Sequence, residues 1–90
     1  MEKMLYIGSY TGCSKDSKKP YYVLYLGSEL VDKNGNPIGE GYRPKTLFVD
    51  KDEYEDFQTC GVGNIVLADI KVFYDRETKK ETNILKRYEV

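Results

Sequence analysis

The stretch YRPKTLFVDKDEYEDFQTCG, residues 42–61, decides the fold because it changes from a strand pattern to a helix pattern. Residues 42–50 carry the aromatic and aliphatic side chains that are typical of a β-strand. After them, Tyr54 and Phe57 lie three residues apart among acidic residues. This spacing predicts a short helix of about two turns.

The ends of this helix are also marked in the sequence. Asp50 or Asp52 is the expected N-cap, and further acidic residues are favourable near the positive end of the helix dipole. Gly61 stands where the helix should stop. The acidic run 50–56 has two interpretations, a solvated helix face or a surface for a protein partner.

Two strands precede this stretch. Residues 4–10 and 20–28 are rich in aromatic and aliphatic side chains, and the polar residues 11–19 between them form a loop. The glycine-rich break at 31–42 contains Asn34-Gly35, which predicts a hairpin with a type I′ turn between the second and third strands.

Two more strands follow the helix. Residues 64–74 alternate, and the face expected to be in the core carries Val66, Ala68, Ile70, Val72 and Tyr74. Residues 75–82 form a charged turn, and residues 83–90 form the last strand. Alternation separates its side chains into Ile84, Lys86, Tyr88 and Val90 on one face and Leu85, Arg87 and Glu89 on the other.

The resulting order is β-β-β-α-β-β, an all-β domain with one short helix. This is the element order of the OB-fold, a five-stranded partly open barrel. An SH3-like barrel is the alternative, and it ranks second because it usually lacks a helix between the third and fourth strands. At 90 residues the chain is long enough for a single domain spanning 1–90.

Composition narrows the function. Cys13 and Cys60 lack a CxxC spacing and the chain has no histidine, which excludes the common zinc patterns and favours free thiols in a reducing cytoplasm. The apolar run at the N-terminus is shorter than a signal-peptide core or the ~20 residues of a membrane span. We expect a cytoplasmic protein without a membrane segment.

The sequence contains motifs that suggest metal binding or enzyme activity, but each lacks residues that such a site requires. The run DKNGN at 32–36 resembles the start of a calcium-binding loop, but Pro37 replaces the required glycine and Arg43 stands at the twelfth position. Asp69 falls opposite the expected core face, where pairing with Lys71 or Arg87 explains it. No nucleophile and base stand out, so we expect no enzyme activity, no metal and no cofactor.

Charge is unevenly distributed along the chain. The net charge is −1, but residues 50–56 contain five acidic residues and one lysine. The other residues carry 13 basic and 10 acidic side chains, a balance of +3. Because local charge governs contact with phosphates, nucleic acid remains a candidate ligand.

The basic and aromatic stretch SKKPYYVLYL, residues 17–26, supports that candidate. If Leu24 and Leu26 face the core, alternation turns Tyr21 and Tyr25 outward, where their rings can stack on unpaired bases. In the third strand, Arg43, Lys45 and Phe48 should lie beside them. Further cations are expected to border the same groove from its two sides, namely Lys15, Lys18 and Lys19 in one loop and Arg76, Lys79 and Lys80 in another.

Three parts of the chain carry a resemblance to a known family: the polar loop leading into KKPYYVLYL, the glycine-rich turn before YRPKTLFV, and GVGNIVLADIKVFY with its short final strand. In length and layout the chain resembles the single-stranded DNA-binding proteins of filamentous and related phages, the gene V type. The resemblance implies an OB-fold homodimer that coats single-stranded DNA without strong sequence preference.

The resemblance also implies roles for particular residues. Lys19, Tyr21 and Tyr25 match the basic and aromatic part of the second strand, and the hairpin at 32–41 resembles a protruding β-ribbon. The expected ligand is single-stranded DNA, with RNA left open. The alternative is a phage or mobile-element inhibitor that binds a protein partner through the acidic segment 50–56.

Overall fold

The computed structural model describes all 90 residues, and its six elements follow the predicted order. Four strands are longer than the sequence pattern indicates, whereas β4 has the predicted length and is shifted by one residue. The elements are β1 (Glu2–Cys13), β2 (Pro20–Val31), β3 (Pro37–Val49), α1 (Lys51–Cys60), β4 (Ile65–Asp75) and β5 (Lys80–Glu89).

The five strands form a closed barrel in the order β1-β2-β3-β5-β4. β1 pairs antiparallel with both β2 and β4, and β4 pairs antiparallel with β5. β3 and β5 are parallel, and the single pair Leu47–Asn83 joins them. The predicted all-β class is thereby confirmed as a barrel of the OB-fold-like or SH3-like kind, with the helix between β3 and β4.

The core is small. Its buried side chains come from the inner faces of the strands and from one helix residue: Met4, Tyr6, Leu24, Leu26, Leu47, Phe57, Val66, Ala68 and Leu85. Phe57 packs edge-on against Tyr6, with ring centroids 5.5 Å apart, and against Tyr88 at 5.3 Å. The helix therefore adds an aromatic ring to the interior of the barrel.

The helix is capped by Asp50, one of the two expected N-caps. The Asp50 side chain accepts a hydrogen bond from the Glu53 amide at 2.8 Å, and the Glu53 side chain accepts one from the Asp50 amide at 3.0 Å, forming a capping box. Gly61 follows the last turn with φ 90°, as expected of a stop residue. The helix spans ten residues, so it is longer than the two turns predicted.

The β2–β3 turn differs from the prediction. A type I′ turn needs positive φ at both central residues, but Gly35 has φ 84° while Asn34 does not have positive φ. Instead, the Asp32 carboxylate accepts hydrogen bonds from the amides of Asn34 and Asn36 at 2.8 and 3.0 Å. The Asn36 amide, followed by that of Asn34, lowers the pKa of Asp32. The hydrogen bonds to the Asp32 side chain therefore set the conformation of this loop, together with the Asn34-Gly35 pair.

The predicted core face of β4 is only partly correct. Val66 and Ala68 are buried and Ile70 packs against the core, but Val72 and Tyr74 are 43% and 62% exposed. Here β4 and β5 continue as a hairpin whose residues lie beyond the barrel interior. The radius of gyration of 14.2 Å exceeds the ~12 Å of a compact chain of this length, in agreement with projecting hairpins.

A β-bulge changes the alternation of β5. Asp69 is opposite Arg87 and Ile70 is opposite Leu85, so Lys86 has no partner in β4. As a result Leu85 is buried and Tyr88, three residues later, also packs against the core. The simple two-face division of this strand predicted from the sequence is therefore wrong.

Candidate nucleic-acid interface

Three tyrosines meet on the outer face of β1 and β2. The ring of Tyr10 lies 5.9 Å from that of Tyr25 in a stacked arrangement and 6.1 Å from that of Tyr21 at an angle of 90°. We call these three residues the tyrosine cluster. Tyr10 is 44% exposed, whereas Tyr21 and Tyr25 are half-buried. The most accessible ring of the cluster is thus one that sequence patterns did not select.

A bulge in β1 turns Tyr10 outward. The strand register shifts between Tyr6, opposite Leu26, and Gly8, opposite Tyr25. Residues four apart in a regular strand share a face, so without the bulge Tyr10 would lie on the same side as the buried Tyr6. A glycine inside a strand is a signal for a bulge, and Gly8 was the one available clue.

The tyrosine cluster is tightly packed against the sheet. The ring of Tyr21 lies over Gly12, where an added Cβ atom would come within 2.5 Å of the tyrosine hydroxyl oxygen. Partial burial, with the neighbouring hydroxyl of Tyr10, raises the pKa of Tyr25. The packing of the cluster therefore affects the Tyr25 phenol as well as its ring.

Phe48 extends the aromatic surface across β3. Its side chain is 66% exposed, and it lies opposite Val23, which in turn lies opposite Tyr10. Val23 is fully buried between them. Because neighbouring strands are ~4.8 Å apart, the backbones carrying Tyr10 and Phe48 are separated by ~10 Å. We call Tyr10, Val23 and Phe48 the central row.

The cations of β3 do not share the face of Phe48. Arg43 is opposite Ser28 and Lys45 is opposite Leu26, so alternation places both on the side of the strand that carries Leu47. Arg43 is exposed and Lys45 is half-buried. The structure therefore does not bring Arg43 to the central row, while Lys45 lines a groove beside Phe48.

The loop lysines lie at one end of the outer face. Lys15, Lys18 and Lys19 are exposed in the β1–β2 loop, directly before Tyr21. Hydrogen bonds between the backbones of Ser14 and Lys19, at 3.0 Å, and of Lys18 and Ser14, at 2.9 Å, close the loop. These bonds hold the backbone of the three lysines beside the tyrosine cluster. Their ammonium groups make no hydrogen bond or ion pair within the protein.

The second basic group lies toward the other end of β3. Arg76 and Lys79 are exposed in the β4–β5 turn, and Lys80 is exposed at the start of β5. The Asp75 carboxylate holds this turn by accepting from the Glu77 amide at 2.9 Å, and this bond, followed by the Thr78 amide, lowers the pKa of Asp75. Since β5 runs parallel to β3, its first residues lie toward Pro44, away from the β1–β2 loop.

The acidic segment is largely engaged within the fold. Besides the two capping-box residues, Asp56 accepts a hydrogen bond from the Tyr88 hydroxyl, and Glu55 lies 3.9 Å from the Lys51 ammonium group. Asp52 is exposed and has no partner in the chain. Most of these carboxylates therefore have a structural explanation.

The other side chains that could take part in catalysis or metal binding are Asp69, the two cysteines and the remaining carboxylates. Asp69 pairs with Arg87, whose Nε donates to the carboxylate at 3.1 Å, which is one of the two pairings predicted. No three His, Cys, Asp or Glu side chains come together as a metal site. Cys13 and Cys60 are both free thiols. The one helix, α1, is not long and apolar enough to cross a membrane.

Comparison of the chain with models of protein families, with curated proteins and with solved structures finds no match.

Proposed function

We propose that this protein binds single-stranded nucleic acid, DNA in the first instance, on the outer face of β1, β2 and β3. The observation that carries the proposal is the tyrosine cluster, in which the rings of Tyr21 and Tyr25 both lie within 6.1 Å of Tyr10, on one sheet face with the exposed Phe48. Flat rings on a rigid sheet suit bases that have lost their pairing partners, and such stacking tolerates every base.

The proposed mechanism combines stacking with neutralisation of phosphates. Each stacked base contributes ~1–3 kcal/mol in comparable aromatic sites. The two basic loops would contact the backbone of the strand on either side of the rings. Each phosphate contact on a single strand gives a salt slope of about 0.7, so the affinity should fall as salt rises. No covalent step or cofactor is needed.

The proposal extends to assembly and location. Two exposed apolar side chains on one face of the β4–β5 hairpin, Phe73 and Ile84, favour a homodimer in which a second copy covers them. Sedimentation analysis tests the homodimer independently of DNA.

Two free thiols fit the reducing cytoplasm, which is the proposed location.

A protein-binding role is the second candidate, favoured by the exposed acidic side chains of Asp52 and Glu55 on the helix. Replacing both by lysine would abolish binding of a basic protein partner under this proposal. The same change leaves single-stranded DNA affinity unchanged or improves it under the first proposal, so one double variant separates the two.

The decisive experiment is an anisotropy titration with labelled oligo-dT at low and moderate salt, with duplex DNA of equal length as the comparison. We expect salt-sensitive binding to the single strand and weaker binding to the duplex. Phe48→Ala should weaken binding, whereas Val62→Ala, at a side chain that is similarly exposed (64%) in the loop after the helix, should not. Absence of binding at low salt would overturn the proposal.

A further inference from the structure

A groove opens where β3 and β5 separate. The two strands share only the pair Leu47–Asn83, and beside it lies a cavity of about 330 Å³. We call it the β3–β5 groove. It is lined by Pro44, Lys45, Thr46, Phe48, Glu81, Thr82 and Asn83.

The size and lining of the β3–β5 groove suit one small ring. Its volume lies at the lower end of the ~300–1,000 Å³ range of ligand sites. Pro44 and Phe48 supply apolar surface, while Thr46 and Thr82 supply hydroxyl groups. Lys45 adds a cation that can reach a neighbouring phosphate. A planar base with polar edges matches this mixture.

An added peptide strand fits the same groove less well. An added strand that paired with the free edge of β3 would need the backbone N–H groups of β3 as hydrogen-bond donors. Pro44 has none, and proline on an edge strand is a recurrent defence against such pairing. The lining therefore favours a base over an extended peptide.

Asn83 provides a directional acceptor in the groove. Its Nδ2 lies 3.4 Å from the backbone oxygen of Thr46, and because that oxygen can only accept, the amide nitrogen must point toward it. The Asn83 Oδ1 accepts no hydrogen bond from the protein, and it remains available for a donor. Cytosine and adenine present an exocyclic amino group, whereas thymine presents a carbonyl at the corresponding position.

We propose that the β3–β5 groove binds one base of the bound strand, with its ring against Phe48 and an exocyclic amino group donating to Asn83 Oδ1. This inference rests on the proposed function and adds a base preference to it. Thymine bound in the same orientation as cytosine would place its O4 acceptor, in place of the amino donor, against the Asn83 Oδ1, and an unpaired polar group weakens binding. The site thus prefers cytosine or adenine to thymine.

The test compares labelled oligonucleotides of 5-methylcytosine and thymine, because their rings share the methyl group and differ in the amino group and N3 of the pairing edge. The wild-type protein should bind the 5-methylcytosine strand ~3- to 10-fold more tightly, the effect of one hydrogen bond. Asn83→Leu should reduce this ratio to about one, while Phe48→Ala should weaken binding of both strands. Equal affinity of the wild-type protein for the two strands would overturn the groove assignment alone.

A measurement on the unmodified protein covers the case in which Asn83→Leu does not fold. In NMR spectra, the side-chain amide signals of Asn83 should shift on addition of the 5-methylcytosine strand and shift less with the thymine strand. Tight binding of both strands without any shift of these signals would contradict the inference. Failure of both strands to bind would instead overturn the proposed function and the inference with it.

Discussion

The hydroxyl of Tyr88 donates a hydrogen bond to the carboxylate of Asp56, which joins the last strand to the only helix. This bond, partial burial and the nearby charges of Asp56, Glu53 and Asp50 raise the pKa of Tyr88 to about 12. The phenol is thus neutral in the folded protein at pH values where an unfolded chain would begin to lose its proton.

A loss of stability in alkaline solution follows from this pKa. The folded value lies above the unfolded value of about 10, so the stabilisation is complete below pH ~10 and is lost as the pH rises toward 12. Urea unfolding between pH 8 and 12 should show a steeper decline for the wild-type protein than for Tyr88→Phe. Parallel pH curves for the two proteins would contradict this.

The capping box should contribute measurably to stability. Asp50→Ala removes the acceptor of the Glu53 amide and should lower the free energy of unfolding by ~1 kcal/mol. Asp50→Asn should retain most of it, since asparagine also caps helices. Asp52→Ala, in the same turn but outside the cap, serves as the control. Urea denaturation at pH 7 measures all three, and equal midpoints for Asp50→Ala and Asp52→Ala would exclude the predicted role.

Two phenylalanines should separate folding from binding. Phe57 is fully buried, so Phe57→Ala should cost ~3–5 kcal/mol, a large part of the stability of a domain this size. Phe48 is 66% exposed, and Phe48→Ala should change stability by less than ~1 kcal/mol while weakening oligo-dT binding. Thermal unfolding and anisotropy together provide the check. A strongly destabilised Phe48→Ala protein would show that this ring has a structural role instead.

Two glycines in β1 offer a matched pair. A Cβ atom at Gly12 would collide with the Tyr21 ring, whereas one at Gly8 would meet nothing within 4 Å. Gly12→Ala should rotate Tyr21 away from Tyr10 at little cost in stability and weaken oligo-dT binding severalfold. Gly8→Ala should leave binding unchanged. Similar affinities for the two variants would remove Tyr21 from the proposed interface.

The basic β1–β2 loop should contribute to the salt dependence. Replacing Lys15, Lys18 and Lys19 by alanine should reduce the slope of log affinity against log salt by up to ~0.7 for each phosphate that is no longer neutralised. Lys51→Ala, a lysine on the acidic helix, is the control and should leave the slope unchanged. An unaltered slope in the triple variant would exclude the loop from phosphate binding.

The sequence was sufficient for features set by local chemistry. The order of elements and the Gly61 stop depend on neighbouring residues and are found as predicted, and the cap is Asp50, one of the two expected residues. Tyr10 and Tyr88 were harder to place because bulges in β1 and β5 reverse the alternation on which face predictions depend. Such bulges arise from pairing between distant strands, which periodicity within one strand does not contain.

The prediction of which β4 side chains face the core was wrong at the end of the strand, because β4 extends beyond the barrel. Val72 and Tyr74 continue the apolar alternation of Val66 and Ala68, but the strand leaves the barrel before it reaches them. The β3–β5 groove was likewise absent from the sequence pattern. It depends on where a parallel pair separates, a property of the closed barrel and not of any single segment.

Only 12 of the 90 residues are buried. A chain that commits so few positions to its interior leaves nearly all of its surface open to substitution without loss of the barrel. Selection can therefore change the rings and charges of the outer face, and with them the ligand, while the same handful of core side chains continues to specify the architecture.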